Sequence, residues 1–72
     1  MNKMKLIGKI AENGYTQKSL AEKLGMSENT LSSRINGKSS FNVDEVIALC
    51  DILNISDNAE KANIFLSEAS QN

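Results

Sequence analysis

The sequence predicts an all-α domain of five short helices, and three observations carry that expectation. Apolar residues recur at the i, i+3, i+4 spacing of a helical face along most of the chain. No proline interrupts it, and the periodic runs start at capping residues or stop at Gly and Asn. A length of 72 residues makes one domain, spanning 1–72, near the lower limit for a core unaided by metal or disulfide; such a chain buries only about 60% of its unfolded surface. With 40% hydrophobic and 24% charged residues, the composition is that of a folded domain rather than a disordered tail.

Each helix follows from local signals. The first is predicted over Lys3–Glu12, with Met4, Ile7, Ile10 and Ala11 on its apolar face, and it stops at Asn13-Gly14. The second covers Gln17–Leu24 behind Thr16 as N-cap, buries Leu20, Ala21 and Leu24, and ends at Gly25, which adopts a left-handed C-cap without a Cβ penalty. Ser27 caps the third, which buries Leu31 and Ile35 and ends at Asn36-Gly37. The fourth has the clearest start: Asn42 and Glu45 form a capping box, with Phe41 and Val46 as a hydrophobic staple. Its core stripe is Val46, Cys50 and Leu53, with Ile47 and Leu49 alongside, before a turn at Asn54-Ile55-Ser56. Asp57 and Glu60 repeat the capping pattern for a last helix reaching about Ser67, and the polar tail Ser70-Gln71-Asn72 is expected to fray.

Several function classes are disfavoured. A single cysteine, Cys50, forms no internal disulfide, and without histidine there is no nitrogen and sulfur set for a transition metal. Cys50 falls on an apolar stripe and reads as a buried, inert thiol. Tyr15 reads as a packing residue. The N-terminal apolar stretch is broken by Gly8 and Lys9, too short for a signal-peptide core, and the longest apolar run, Val46–Cys50, is far below the roughly 18 residues of a membrane span. A cytoplasmic location is expected. Gly37-Lys38-Ser39 ends like a phosphate-binding loop, but Ser32 stands where that motif needs its first glycine. With no histidine and no carboxylate pair set in an apolar pocket, catalysis is not expected, and no cofactor is implied.

The net charge of −1 hides an asymmetry. Residues 1–38 hold seven cations against three carboxylates, giving +4, and residues 39–72 hold one against six, giving −5. A polyanion would meet the first half, although solvated helix faces account for the same pattern.

Between the second and third helices lie only Gly25-Met26-Ser27, too few for antiparallel packing, so the two must cross steeply as a helix-turn-helix over about 17–36. The stretch TQKSLAEKLGMSENTLSSRINGKSSFNVDEVIALCDILNIS resembles the Cro and phage-repressor (XRE-type) helix-turn-helix family, a five-helix lambda-repressor-like fold. Gln17, Ala21, Leu24-Gly25, Leu31, the Asn36-Gly37-Lys38 turn and the apolar Val46–Leu53 run followed by Asn54-Ile55 carry the likeness, in family order.

That resemblance implies a third helix lying in the major groove of double-stranded DNA. The helical wheel agrees: with Leu31 and Ile35 buried, Asn29 and Ser33 point outward, Ser32 and Asn36 lie near them, and Glu28 and Arg34 flank. By resemblance, Ser27, Glu28, Asn29, Ser32 and Ser33 read bases, with Asn29 suited to adenine and Glu28 to a cytosine amino group. Glu28 reads equally as a first-turn acid favoured by the helix dipole. Phosphate contacts fall to Thr16, Gln17 and Lys18 at the start of the second helix and to Arg34, Asn36, Lys38 and Ser39 after the third. Relatives often place an apolar residue and then Glu near the end of the third helix. This chain has Arg34 and then Ile35, which leaves the reach of Arg34 open.

Ile64, Phe65 and Leu66 cannot all face one small core, and family members commonly dimerise at this end, so a homodimer on a pseudo-palindromic operator is expected. The whole reads as a Cro-like transcriptional repressor of phage or prophage type. The alternative is a protein-binding module of the same fold, such as an antitoxin or antirepressor.

Overall fold

The computed structural model describes residues 1–66 and contains five helices: α1 (Lys3–Glu12), α2 (Gln17–Leu24), α3 (Glu28–Ile35), α4 (Val43–Ile52) and α5 (Asn58–Phe65). There is no strand among the described residues, so the all-α expectation holds. The expected extension of the last helix to Ser67 and the tail at Ser70-Gln71-Asn72 lie outside them.

Helix starts are set by side chains that satisfy the otherwise unpaired first-turn amides. Asn2, Thr16, Ser27, Asn42 and Asp57 each accept a backbone N–H from the turn they precede. At α4 the capping box is complete, Glu45 N–H donating to Asn42 Oδ1 at 2.8 Å and Asn42 N–H to Glu45 Oε1 at 3.0 Å. The same box does not form at α5, where Asp57 accepts from Ala59 N–H and Glu60 reaches instead to Lys9. Two glycines stop helices where L-residues would be strained: Gly25 at φ 72° and Gly37 at φ 80°. Asn54, at φ 58°, ends α4 in the same left-handed region, which Asn tolerates better than most residues.

One apolar cluster fills the interior: Leu6 and Ile10 from α1, Leu20 and Ala21 from α2, Leu31 and Ile35 from α3, Leu49 and Cys50 from α4, then Leu53, Ile55 and Ile64. No polar or charged residue is buried among the described residues. Fully burying one leucine or isoleucine is worth about 1.5–3 kcal/mol, and a domain this small has few of them. Burial also lifts the Cys50 thiol above its ordinary pKa, against a smaller opposing effect of Lys61, so it stays protonated and unreactive at neutral pH. Tyr15 and Met26 pack half-buried against the cluster.

The buried set differs from expectation at several positions, among them Leu24 and Val46, which are half-buried against the cluster rather than within it. In α1 the buried pair is Leu6 and Ile10, whereas Met4 and Ala11 are exposed and Ile7 is half-buried. The helix carries two overlapping apolar sets that share Ile10, and the one that includes Leu6 is buried. In α4, Ile47 is 62% exposed, because Leu49, Cys50 and Leu53 already occupy the inward side. Ile55, read as part of a turn, is buried and closes the core beneath α4.

The first and last helices are tied together. Asn2 N–H donates to Ile64 O at 2.6 Å, and Lys9 Nζ lies 2.9 Å from Glu60 and 3.7 Å from Glu12. The Asn13 side chain donates to Lys9 O and Leu53 O and accepts from Asn54, joining the end of α1 to the end of α4.

The hydrogen bond to Glu60 raises the Lys9 pKa above its usual 10.5, against a smaller opposing effect of desolvation. A lysine pKa raised on folding stabilises the native state fully below the unfolded value, and that contribution disappears as pH rises through the folded value. Thermal denaturation across the alkaline range should therefore show melting temperature falling above about pH 10.5, with part of the fall absent in Lys9→Met. An identical alkaline profile in the variant would remove Lys9 as the cause.

Candidate nucleic-acid interface

The turn between α2 and α3 is made by Gly25 in its left-handed conformation, with Met26 N–H returning to Ala21 O at 3.0 Å, a Schellman-type closure. Ala21 is 2% exposed, a small residue where the two helices meet. Leu31 and Ile35, at 0% and 1% exposure, seat the inner face of α3. The 3.6-residue period then turns the opposite face outward.

On that face Ser27, Glu28 and Asn29 are exposed, and Ser32 and Ser33 are half-buried. Glu28 and Asn29 have no side-chain partner among the described residues. The serines are already engaged. Ser27 Oγ accepts Thr30 N–H and donates to Thr30 Oγ1 at 2.8 Å. Ser33 Oγ lies 3.2 Å from Ser39 Oγ, and Asn36 Nδ2 donates to Ser32 Oγ at 3.2 Å. The structure thus brings Ser32 to Asn36 and Ser33 to Ser39, linking candidate base-reading and phosphate-binding groups in one surface.

Two regions border this face. At the start of α2, Thr16 Oγ1 accepts Ser19 N–H at 3.0 Å and Ser19 Oγ accepts Thr16 N–H at 2.9 Å. The first-turn amides of Gln17 and Lys18 have no intrahelical acceptor, as at any helix start, and together with the dipole they favour an anion. After α3, Lys38 N–H and Ser39 N–H both turn back to Ser33 O, which leaves the Asn36, Lys38 and Ser39 side chains exposed on the loop. Lys18 and Lys38 form no ion pair among the described residues.

Arg34 is placed differently from the other candidates. Its Nε lies 2.8 Å from Glu45 Oε1, with the two side chains 22% and 18% exposed. Lys9 is likewise paired to Glu60, so two of the first half's cations are matched by carboxylates of the second half, and the +4 region is less cationic than its count. Sequence reasoning passed over Ser19 and Thr30, and gave Glu45 its capping role alone. Ser19 and Thr30 carry the cap signature at three residues' distance, but nothing local signals that Glu45 meets Arg34.

The three residues expected at a dimer surface separate. Ile64 is wholly buried in the chain's own core, Phe65 packs edge-on against Phe41 with ring centroids 6.4 Å apart, and Leu66 is 75% exposed. Val43 and Ile47, both well exposed, line one open groove with Phe41, Val46, Phe65 and Leu66. Among the described residues no cluster of His, Cys, Asp or Glu could hold a metal ion, and no helix is long and apolar enough to cross a membrane.

A helix pair joined by a short glycine-containing turn, with a seated second helix and a polar outer face, defines a helix-turn-helix domain. A family model described as helix-turn-helix matches residues 9–58, more than half of the chain. The chain belongs to that family, the XRE-type (Cro/C1-type) helix-turn-helix of DNA-binding transcription regulators, which are not typically enzymes. Comparisons with curated proteins and with solved structures return no match.

Ser27 and Asn29 separate helix stability from surface chemistry. Ser27→Ala removes the N-cap and should cost about 1 kcal/mol, whereas Asn29→Ala should fall within about 0.5 kcal/mol of wild type. Chemical denaturation measures both, and a loss at Asn29 equal to that at Ser27 would mean Asn29 has a structural partner.

Proposed function

We propose that the chain is a sequence-specific, operator-binding repressor of Cro type, inserting α3 into the major groove and acting by occupancy that excludes polymerase. The observation that supports this most is Asn29: exposed, without a side-chain partner among the described residues, and centred on an outer face of short hydrogen-bonding groups. Its amide matches adenine N6 and N7, and Glu28, equally free, matches a cytosine amino group. Ser27, Ser32 and Ser33 would have to share or exchange their present bonds to read bases. Thr16, Gln17 and Lys18 on one side and Asn36, Lys38 and Ser39 on the other supply phosphate contacts that set register without reading sequence.

A second copy completes the proposal. With Ile64 committed to the core, Leu66 and the outer edge of Phe65 remain for the partner, continued by Val43 and Ile47. Two copies paired there would present their α3 helices to successive major grooves about 34 Å apart. The same apolar groove favours a second reading, a module of this fold that docks a partner protein, as an antitoxin or antirepressor does.

Salt distinguishes the two. Phosphate contacts release counterions, so log affinity for a duplex selected from a random pool should fall linearly with log salt, by about 0.9 per contact, whereas an apolar protein interface responds weakly. Asn29→Ala should reduce the preference for the selected duplex over random DNA, and Lys38→Ala should weaken both alike. Failure to select any preferred duplex would leave the protein-docking reading. Ile47→Glu and Leu66→Glu alter exposed positions, so both variants should fold normally yet sediment as monomers where wild type sediments as a dimer. Wild type that is monomeric with and without DNA would eliminate the dimer.

A further inference from the structure

We infer that Arg34 is a positioning residue, paired with Glu45 to set the pitch of α3 and to close the 36–42 loop, and is not a phosphate ligand; this rests on the DNA-binding reading above. Three observations carry the inference. On the α3 wheel Arg34 lies about 60° from the buried Leu31 and about 100° from the outward Ser33, on the flank nearer the core. It lines the groove between the end of α3 and α4, beside Ile35, Phe41 and Val46, rather than the outer face. Its Nε meets Glu45 Oε1 at 2.8 Å, and both side chains are about four-fifths buried.

Glu45 is itself fixed. The same Oε1 accepts the Asn42 amide at 3.0 Å, so the carboxylate cannot swing outward without giving up the start of α4. A well-placed acceptor on a rigid helix thereby holds the last turn of α3. The loop between them carries Asn36, Lys38 and Ser39, and its two ends are joined by this pair. Ser33 and Ser39 add a second tie within it. A guanidinium whose charge is matched at this distance releases few counterions on DNA binding.

The test is a duplex titration over a range of salt with wild type, Arg34→Gln, Glu45→Gln and the double variant, each first checked by circular dichroism to be folded at the assay temperature. Gln at 45 keeps an oxygen for the Asn42 amide and removes only the charge. A positioning role predicts that Arg34→Gln and Glu45→Gln each lower the preference for the selected duplex by about fivefold or more, the loss of roughly one base contact. The salt slope stays unchanged, and the double variant is no worse than either single one, as expected of residues acting as one unit.

A phosphate ligand held back by Glu45 predicts the opposite signs. Arg34→Gln would then flatten the slope by about 0.9, and Glu45→Gln would tighten binding to all duplexes. Either of those results, or an unchanged preference in both single variants, overturns the inference while leaving the DNA-binding reading in place. Wild type that binds no duplex removes both. Should Arg34→Gln not fold, the sign of the Glu45→Gln effect decides alone.

Discussion

Leu31 and Ile35 are the two side chains on which the rest of the arrangement depends. Both are buried, and α3 has no other residue in the core cluster. An eight-residue helix has no appreciable stability alone, so its existence rests on this apolar seat and on its caps. Once the seat is made, helical geometry decides which residues look outward, and Asn29 and Ser33 are among them. Burial is non-directional, however, and fixes depth better than rotation. Rotation is supplied by directional bonds at the end of α3, from Ser33 to Ser39 of the following loop and from Arg34 to Glu45 of α4.

What could be read from the sequence divides along the same line between local and distant causes. Helix limits were legible because caps and stops act within three or four residues; Thr16, Ser27, Asn42 and Gly25 all stand where their chemistry requires. The buried face of α1 was legible only at Ile10, because Met4, Ile7, Ile10 and Ala11 form as good a stripe as Leu6 and Ile10, and packing against the rest of the fold selects between them. The exposure of Ile47 and the burial of Ile55 within its turn were not legible for a related reason: in a core this small, the number of inward positions is set by neighbours far along the chain. At the candidate interface the outward face was legible from Leu31 and Ile35 alone. The partners of the serines and of Arg34 were not, since the loop conformation and the position of α4 determine them.

Charge illustrates how a count differs from a field. Lys9 and Arg34 belong to the cationic half of the sequence, yet each faces a carboxylate of the acidic half. These pairs cross between elements and link the two halves, with all four side chains largely shielded from solvent. The charge left unpaired on α2, α3 and the loop after them, among the described residues, is that of Lys18, Lys23 and Lys38 against Glu22 and Glu28, a small positive surplus. In the reading proposed here, such a modest surplus places more of the burden of recognition on hydrogen bonds to bases.

Ser27 occupies two roles at once, since the hydroxyl that starts α3 also stands at the edge of its outward face. Evolutionary drift in what the surface recognises is therefore uneven. In the reading proposed here, Glu28 and Asn29 are free to vary because no side-chain bond among the described residues depends on them, while exchange at Ser27 also removes the cap of α3. New binding preferences in such a small chain should arise first at the two unconstrained neighbours of the cap.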